Sequence, residues 1–465
     1  MSKRLGSHAI VIGGSIAGMF TARALSDHYD KVTILDRDEF PAEPIHRKGA
    51  PQGYQSHVLL KGGELVTEKF FPGFYDELTG LVPVIDSKDV AWYHYGVWRL
   101  RLKTGMKKYL MTRPFLEFHI RRRTQQIENI EFLQNVDVLH LLATEGNTKV
   151  TGVKVEHRGD STAPSELLAD LVVDCGGRGS SAPKFLEQLG YSRPEETTIK
   201  IDIGYSSRLY KMPEGLQMDW QYILIYPKPP HGTRIGIANT CEDGKIILSL
   251  AGCAGDYPPT DEEGFMEYLK SIPQKDLYDV IKQCEPASEI KSHRLPSSLR
   301  RHYESMTAFP ENYLVLGDAV CSVNPVFGQG MSISTMSANA LKESLDEYAA
   351  AGGRDFHAMR KNFYTRATDI INLAWNWAVA EDFRYPNVEG KKPPFTGLQN
   401  WYLGNLFELA ASNKRIYFQV NMVLNLVAKP RTLLQPYILW QVVRKTLGFQ
   451  DKGMRTMGNG HPIDA

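Results

Sequence analysis

Residues 9–36 read AIVIGGSIAGMFTARALSDHYDKVTILD. Ala9 to Ile12 is a short, continuously apolar run, the pattern of a strand buried on both faces. Gly13-Gly14-Ser15-Ile16-Ala17-Gly18 then turns into a segment carrying Met19, Phe20, Ala22 and Leu25, which predicts a helix. A second apolar run, Lys31 to Leu35, stops at an acid, Asp36, eighteen residues past Gly18. The whole is a βαβ unit with its glycines at the first strand–helix turn. Such a turn suits a dinucleotide. Glycines let the backbone approach a pyrophosphate, the helix N-terminus supplies free N–H groups and partial positive charge, and the acid accepts from ribose hydroxyls. Ser15 replaces the middle glycine of G-x-G-x-x-G, so the motif alone is weak and its context carries it. A tight strand–helix turn with no ligand is the plainer alternative, and Asp36 argues against it. The expected cofactor contacts here are Gly13, Gly14, Ser15, Ala17, Gly18 and Asp36, with Arg37 beside the acid.

The rest of the chain bounds what such a unit can belong to. At 465 residues, two or three substructures are expected. Basic and acidic residues number 54 and 53, which gives no electrostatic case for nucleic acid. The densest basic run, Arg121-Arg122-Arg123, reads as the wet side of a helix. The five cysteines, Cys175, Cys241, Cys253, Cys284 and Cys321, have no C-x-x-C spacing. They argue for a reducing compartment and against a disulfide framework or a metal site. No signal peptide and no membrane-length apolar run is visible, so a cytoplasmic location is expected.

Residues 41–63 read as a long loop, and 130–175 as several short strands. Tyr222–Tyr226, Arg234–Ala238 and Lys245–Leu250 form an antiparallel meander with a turn at Asp243-Gly244. Thr260 to Glu263 reads as a capping box opening a helix. Met331 to Ala350 reads as a helix stopped by Gly352-Gly353, and aromatic-rich helices follow from 355. Within the last part, Tyr437 to Leu447 suits packing against the sheet domain better than a membrane surface.

A second motif selects the cofactor. Residues 315–331 read VLGDAVCSVNPVFGQGM. The strand Val315-Leu316, the pair Gly317-Asp318 and the loop from Asn324 to Met331 closely resemble the second FAD signature of flavoprotein monooxygenases. That resemblance implies that Asp318 binds the ribityl chain. It also places Pro325, Gly328, Gln329, Gly330 and Met331 against the flavin, with Phe327 and His57 as further candidates to line it. The physics agrees: a reduced flavin carries negative charge at one edge, which a helix N-terminus stabilises. A side chain at Gly328 or Gly330 would hold the backbone off the ring.

The resemblance continues elsewhere. Thr112-Arg113-Pro114-Phe115-Leu116-Glu117 matches the segment whose arginine touches the cofactor, and Arg47 sits in the loop that brings an arginine to the FAD phosphates. Val138 is a further implied contact. His46 to Gly53 with His57 to Leu60 resembles the polyether-type polyene epoxidases. Asp174-Cys175-Gly176-Gly177-Arg178-Gly179-Ser180 corresponds to the middle motif, with Gly176 where most hydroxylases carry an aspartate. That motif is linked to NAD(P)H use, so the electron donor, direct or through a flavin reductase, stays open. Trp375-Asn376-Trp377 is similar to part of a flavin-halogenase motif. Ala380 replaces the halogenase proline, and the segment reads as core aromatics.

The resemblance therefore implies an α/β fold with a Rossmann-like, discontinuous FAD-binding domain (1–75, 110–185 and 290–350). An antiparallel β-sheet substrate domain (76–109 and 186–289) and a helical C-terminal region (351–465) complete it. The implied activity is monooxygenation of a small apolar substrate with O2, by epoxidation of an alkene or polyene or by hydroxylation of an aromatic ring in secondary metabolism. For such chemistry the protein need supply no acid, base or metal. Trp92, Tyr93, Tyr95, Trp98, Trp220 and Tyr222 suit an apolar pocket, or equally a core. The alternatives are a flavin-dependent reductase or dehydrogenase of prenyl or polyene substrates and a non-catalytic FAD-fold lipid carrier.

Overall fold

The computed structural model describes residues 4–159 and 163–449. Its first unit is the strand Gly6–Ile12, the helix Ile16–Ser26 and the strand Tyr29–Leu35. These join a five-stranded parallel sheet in the order Tyr313–Val315, Leu171–Asp174, Gly6–Ile12, Tyr29–Leu35, Ile130–Leu133. Ile10, Val11, Val172 and Val173 are fully buried because helices and a three-stranded antiparallel sheet (Val136–Ala143, Val150–His157 and Ser165–Leu168) pack on the parallel sheet, which is why these strands read as unbroken apolar runs. The helix Gly330–Ala350 packs on Ile16–Ser26 and on the helix Phe356–Asp382. Phe363, Ala367, Ala374 and Trp375 enter the same core, so the α/β part draws on residues beyond 350.

The second layer is an antiparallel sheet built on the strands Ile203–Lys211, Lys245–Gly252, Arg234–Cys241 and Tyr222–Ile225. Its turn at Asp243-Gly244 has both residues left-handed, at φ 59° and 63°. Val90–His94 extends the sheet, parallel to Tyr222–Ile225. Lys291–Leu295 pairs with Ile203–Lys211, so the sheet continues past residue 290, where the sequence reading returned the chain to the α/β part. One face is closed by the helices Glu262–Lys270 and Asp276–Ile281 through Phe265, Leu269 and Leu277. The other face, with Tyr205, Leu224 and Tyr226, packs against Val326.

Several local expectations are corrected. The cap of Glu262–Lys270 is Asp261, which accepts from the Gly264 N–H, and not Thr260. The loop at 41–63 contains a 3-10 turn, Pro51–Tyr54, and the start of the helix Lys61–Phe70. Arg121 does not lie on a wet face: it is buried, donates to the Pro41 carbonyl and lies over Phe40 and Phe118. The helix Pro436–Thr446 packs on Thr396–Ala410 through Ile438 and Val442, instead of on the sheet, and leaves Leu439, Trp440 and Val443 outward. No helix among the described residues is long and apolar enough to cross a membrane.

Candidate active site

Three neighbouring strands end in register: Ile12 lies opposite Asp174, and Asp174 opposite Val315. The residues that follow them open the three motifs. The turns are in contact through their glycines. A Cβ on Gly13, at φ 95°, would stand 2.7 Å from the Cys175 carbonyl oxygen, and one on Gly317 would stand 2.9 Å from Ala17 Cβ. The cleft outside such strand ends is where parallel α/β sheets receive ligands. Asp174 is a strut of this arrangement: it accepts the Gly176 N–H at 2.8 Å and the Tyr313 hydroxyl at 3.3 Å.

Charge is organised around the first turn. Asp36 accepts the Gly14 N–H at 2.7 Å and the Asp38 N–H at 2.9 Å. Arg47 is buried among Glu117 at 2.8 Å, Asp38 at 2.9 Å and Asp36 at 3.5 Å. Its Nε and Nη1 are thus both engaged by carboxylates. Glu117 rises from the helix Arg113–Gln125, which Thr112 caps by accepting the Phe115 N–H. Burial pushes the Glu117 carboxyl up, but Arg47 and Arg113 together hold it below its ordinary range. Ser15, which breaks the glycine pattern, donates to Glu117 at 3.0 Å and accepts from Arg113 at 3.1 Å. Its hydroxyl ties the turn to the Arg113 helix, a task no glycine could perform. Sequence reasoning did not assign Glu117 or Asp38; an acid one helical turn after Arg113 was the available signal.

The second motif presents an open cradle. Pro325–Phe327 is a single 3-10 turn, held by the Asn324 side chain accepting the Val326 N–H. Gly328 follows at φ 65°, and the helix begins at Gly330, where the first backbone N–H groups have no intrahelical acceptor. A Cβ on Gly328 would meet nothing within 4 Å, and one on Gly330 would meet only Asp318 Oδ1, at 3.8 Å. Among the described residues no donor hydrogen-bonds the Asp318 carboxylate. Burial pushes its pKa up, against the pull of Arg113 and Arg178. Gln329 Oε1 is likewise buried without a partner. Bare backbone, a free acceptor and an unsatisfied helix start fit a flavin carrying a polyhydroxyl chain. His57 and Met331 share a small cavity with Arg113, and burial followed by the Arg113 charge pushes the His57 imidazole down to about 4. Arg37 is exposed beside Asp36. Val138 lies on the strand Val136–Ala143, which is tied to the Asp36 carbonyl at Val136 N–H, 3.0 Å.

Beyond the cradle lies a cavity of about 1070 Å³, measured to its open mouth. Val326, Phe327, Gly328 and Gln329 form one wall, the strands Val90–His94 and Tyr222–Ile225 a second, and the helix Lys414–Leu424 a third. Strand alternation sorts the aromatic residues. Trp92 lines the cavity while Tyr93 and Trp98 belong to the core on the opposite face; Tyr222 also lines the cavity, and Trp220, just before the strand Tyr222–Ile225, joins the core. Trp375 is core as expected, but Trp377 is not: it lines the cavity and meets Phe407 edge-on at 5.2 Å.

The fold is the one found in solved FAD-dependent monooxygenases and flavin-dependent halogenases. The flavin-dependent brominase Bmp2 matches 96% of this chain and 100% of its own, with a TM-score of 0.67 and 14% identity. PqsL, a probable FAD-dependent monooxygenase from Pseudomonas aeruginosa, matches 82% of this chain and 97% of its own, with a TM-score of 0.62 and 15% identity. The chain itself belongs to the family of protein Rv3254 of Mycobacterium tuberculosis, to which it is 32% identical over 358 residues, 74% of this chain and 75% of that one. Squalene monooxygenase 1,2 of Brassica napus is a more distant relative, 22% identical over 403 residues, 81% of this chain and 70% of its own. No family model matches the sequence.

Proposed function

We propose that the protein binds FAD along the three strand ends and is a monooxygenase acting on an apolar substrate held in the adjoining cavity. The observation that carries this reading is the continuity of the two spaces: the Val326–Gln329 backbone that forms the cradle is also a cavity wall. Bound FAD would supply the activation of O2. The chain's part is to hold and shelter. Asp318 would accept from the ribityl hydroxyls, Asp36 from the ribose, and the N-terminus of Gly330–Ala350 would favour negative charge on the ring edge. The apolar walls would orient an electron-rich carbon and exclude water. The resemblance to polyene epoxidases and the distant similarity to a squalene monooxygenase support epoxidation of an alkene, with aromatic hydroxylation as the second outcome. NAD(P)H would supply electrons; because FAD would fill the one dinucleotide fingerprint in the sequence, NAD(P)H would bind transiently or act through a separate reductase.

Reaction with candidate alkenes and arenes under isotopically heavy oxygen gas tests this. One heavy atom should enter the product, and heavy water should contribute none beyond later exchange. Product formed without oxygen would favour the reductase or dehydrogenase alternative. A protein that binds lipid but never becomes yellow with FAD would favour the carrier.

A further inference from the structure

Arg99 lines the cavity yet pairs with no acid among the described residues. Its guanidinium packs against Trp92, 3.6 Å from the ring centroid, and Phe407, at 4.1 Å. Nη2 meets His94 Nδ1 at 3.3 Å, and Nε is buried without an acceptor. Every other titratable group bearing on it is neutral or engaged. Burial keeps His94 uncharged, and likewise keeps the hydroxyls of Tyr95, Tyr226 and Tyr417 protonated. Glu381, the carboxylate whose field reaches Arg99, accepts the Tyr95 hydroxyl at 2.5 Å and pairs with Arg384 at 3.2 Å. Lys108, also on the cavity wall, donates to Asn425. Burial lowers the Arg99 pKa to about 9, so it still carries its charge at neutral pH.

The stacking decides what can reach that charge. With two aromatic rings packed against the guanidinium, its N–H edge is the side a ligand oxygen would meet. A planar carboxylate presents two oxygens in one plane and matches that edge. A phosphate would press a further charged oxygen against apolar walls. Between Arg99 and the cradle stand His94 and Tyr226, whose rings are 5.1 Å apart, and the Tyr226 hydroxyl donates to the Val326 carbonyl at 2.7 Å. A ligand anchored at Arg99 would therefore run along aromatic walls toward the Val326–Gln329 loop.

We propose that the substrate is an apolar carboxylic acid, its carboxylate paired with Arg99 and its apolar body extending toward the cradle, an inference that rests on the monooxygenase reading for the identity of the cavity. Calorimetric titration of the full-length protein with dodecanoate, phenylbutanoate and retinoate, each against its methyl ester, tests it without any turnover. At least one acid should bind roughly ten- to a hundred-fold tighter than its ester. Arg99→Met should bring that ratio close to one while leaving ester binding in place. Arg99→Lys, which keeps a charge but loses the planar fork, should retain part of the preference. If no acid outbinds its ester in the unmodified protein, or if Arg99→Met keeps the preference, the proposal fails. Because no oxygen or reductant is involved, an acid preference without heavy-oxygen incorporation would fail the monooxygenase reading alone.

Discussion

Asp318 is half-buried at the cradle, and among the described residues no donor hydrogen-bonds its carboxylate, which leaves it free to accept from a ligand. Asp318→Ala should therefore separate function from stability. FAD affinity should fall roughly ten- to a hundred-fold, read from cofactor retained on purification and from flavin titration. The cofactor-free protein should unfold at about the same urea concentration as the unmodified one, since no hydrogen bond among the described residues is lost. Asp382 is a buried acid. Its Oδ1 accepts from Asn324 at 2.8 Å, its Oδ2 has no partner among the described residues, and burial pushes its pKa up to about 7 from 3.8. A carboxyl that holds its proton longer when folded loses stability as pH rises from the unfolded value through the folded one. Asp382→Asn should thus gain on the unmodified protein between about pH 4 and pH 7, by at most about 4 kcal/mol. Urea unfolding at pH 5 and pH 8 measures it, and an equal difference at both would show that Asp382 does not titrate in this window.

At the level of elements, the strand–turn–helix at Ile12–Ile16 is constrained by contact and the loop before Gly330 by conformation alone. A Cβ on Gly18 would stand 1.8 Å from the Gly13 carbonyl oxygen, a distance no relaxation of a side chain can relieve. Gly18→Ala should cost more than about 4 kcal/mol and abolish FAD binding. Gly328→Ala meets nothing within 4 Å and bears only the left-handed φ of 65°, which costs about 1–2 kcal/mol. Denaturant unfolding of the two variants should separate them by this margin. Similar losses would mean that the first turn can open to relieve the contact.

For the whole molecule, the cavity exists because three layers meet: the α/β part through the cradle, the antiparallel sheet through Val90–His94, and the C-terminal helices. Tyr95 helps hold them in place. It sits at a left-handed φ of 55° just past that strand and donates to Glu381 at the end of the long helix Phe356–Asp382. Tyr95→Phe should cost about 1–3 kcal/mol, because it leaves a buried carboxylate short of a donor. Thermal unfolding reads the loss, and no change would show that Arg384 alone satisfies Glu381.

The sequence by itself determined the βαβ unit, the second motif and the meander, because each is written in neighbouring residues. Continuous apolar runs mark buried strands, glycines mark close backbone approach, and Asp36 and Asp318 stand next to strand ends. It could not show that Gly13 meets Cys175 and Gly317 meets Ala17, since strand order is set by burial across hundreds of residues. Nor could it show that Arg47 is held by three acids, that Trp377 faces a cavity while Trp375 does not, or that Arg99 packs against two rings with no paired acid among the described residues. A charged or aromatic residue reads the same whether its partner is water, an acid or a substrate. Only the tertiary packing, which brings residue 99 against residue 407 and residue 226 against residue 326, decided which.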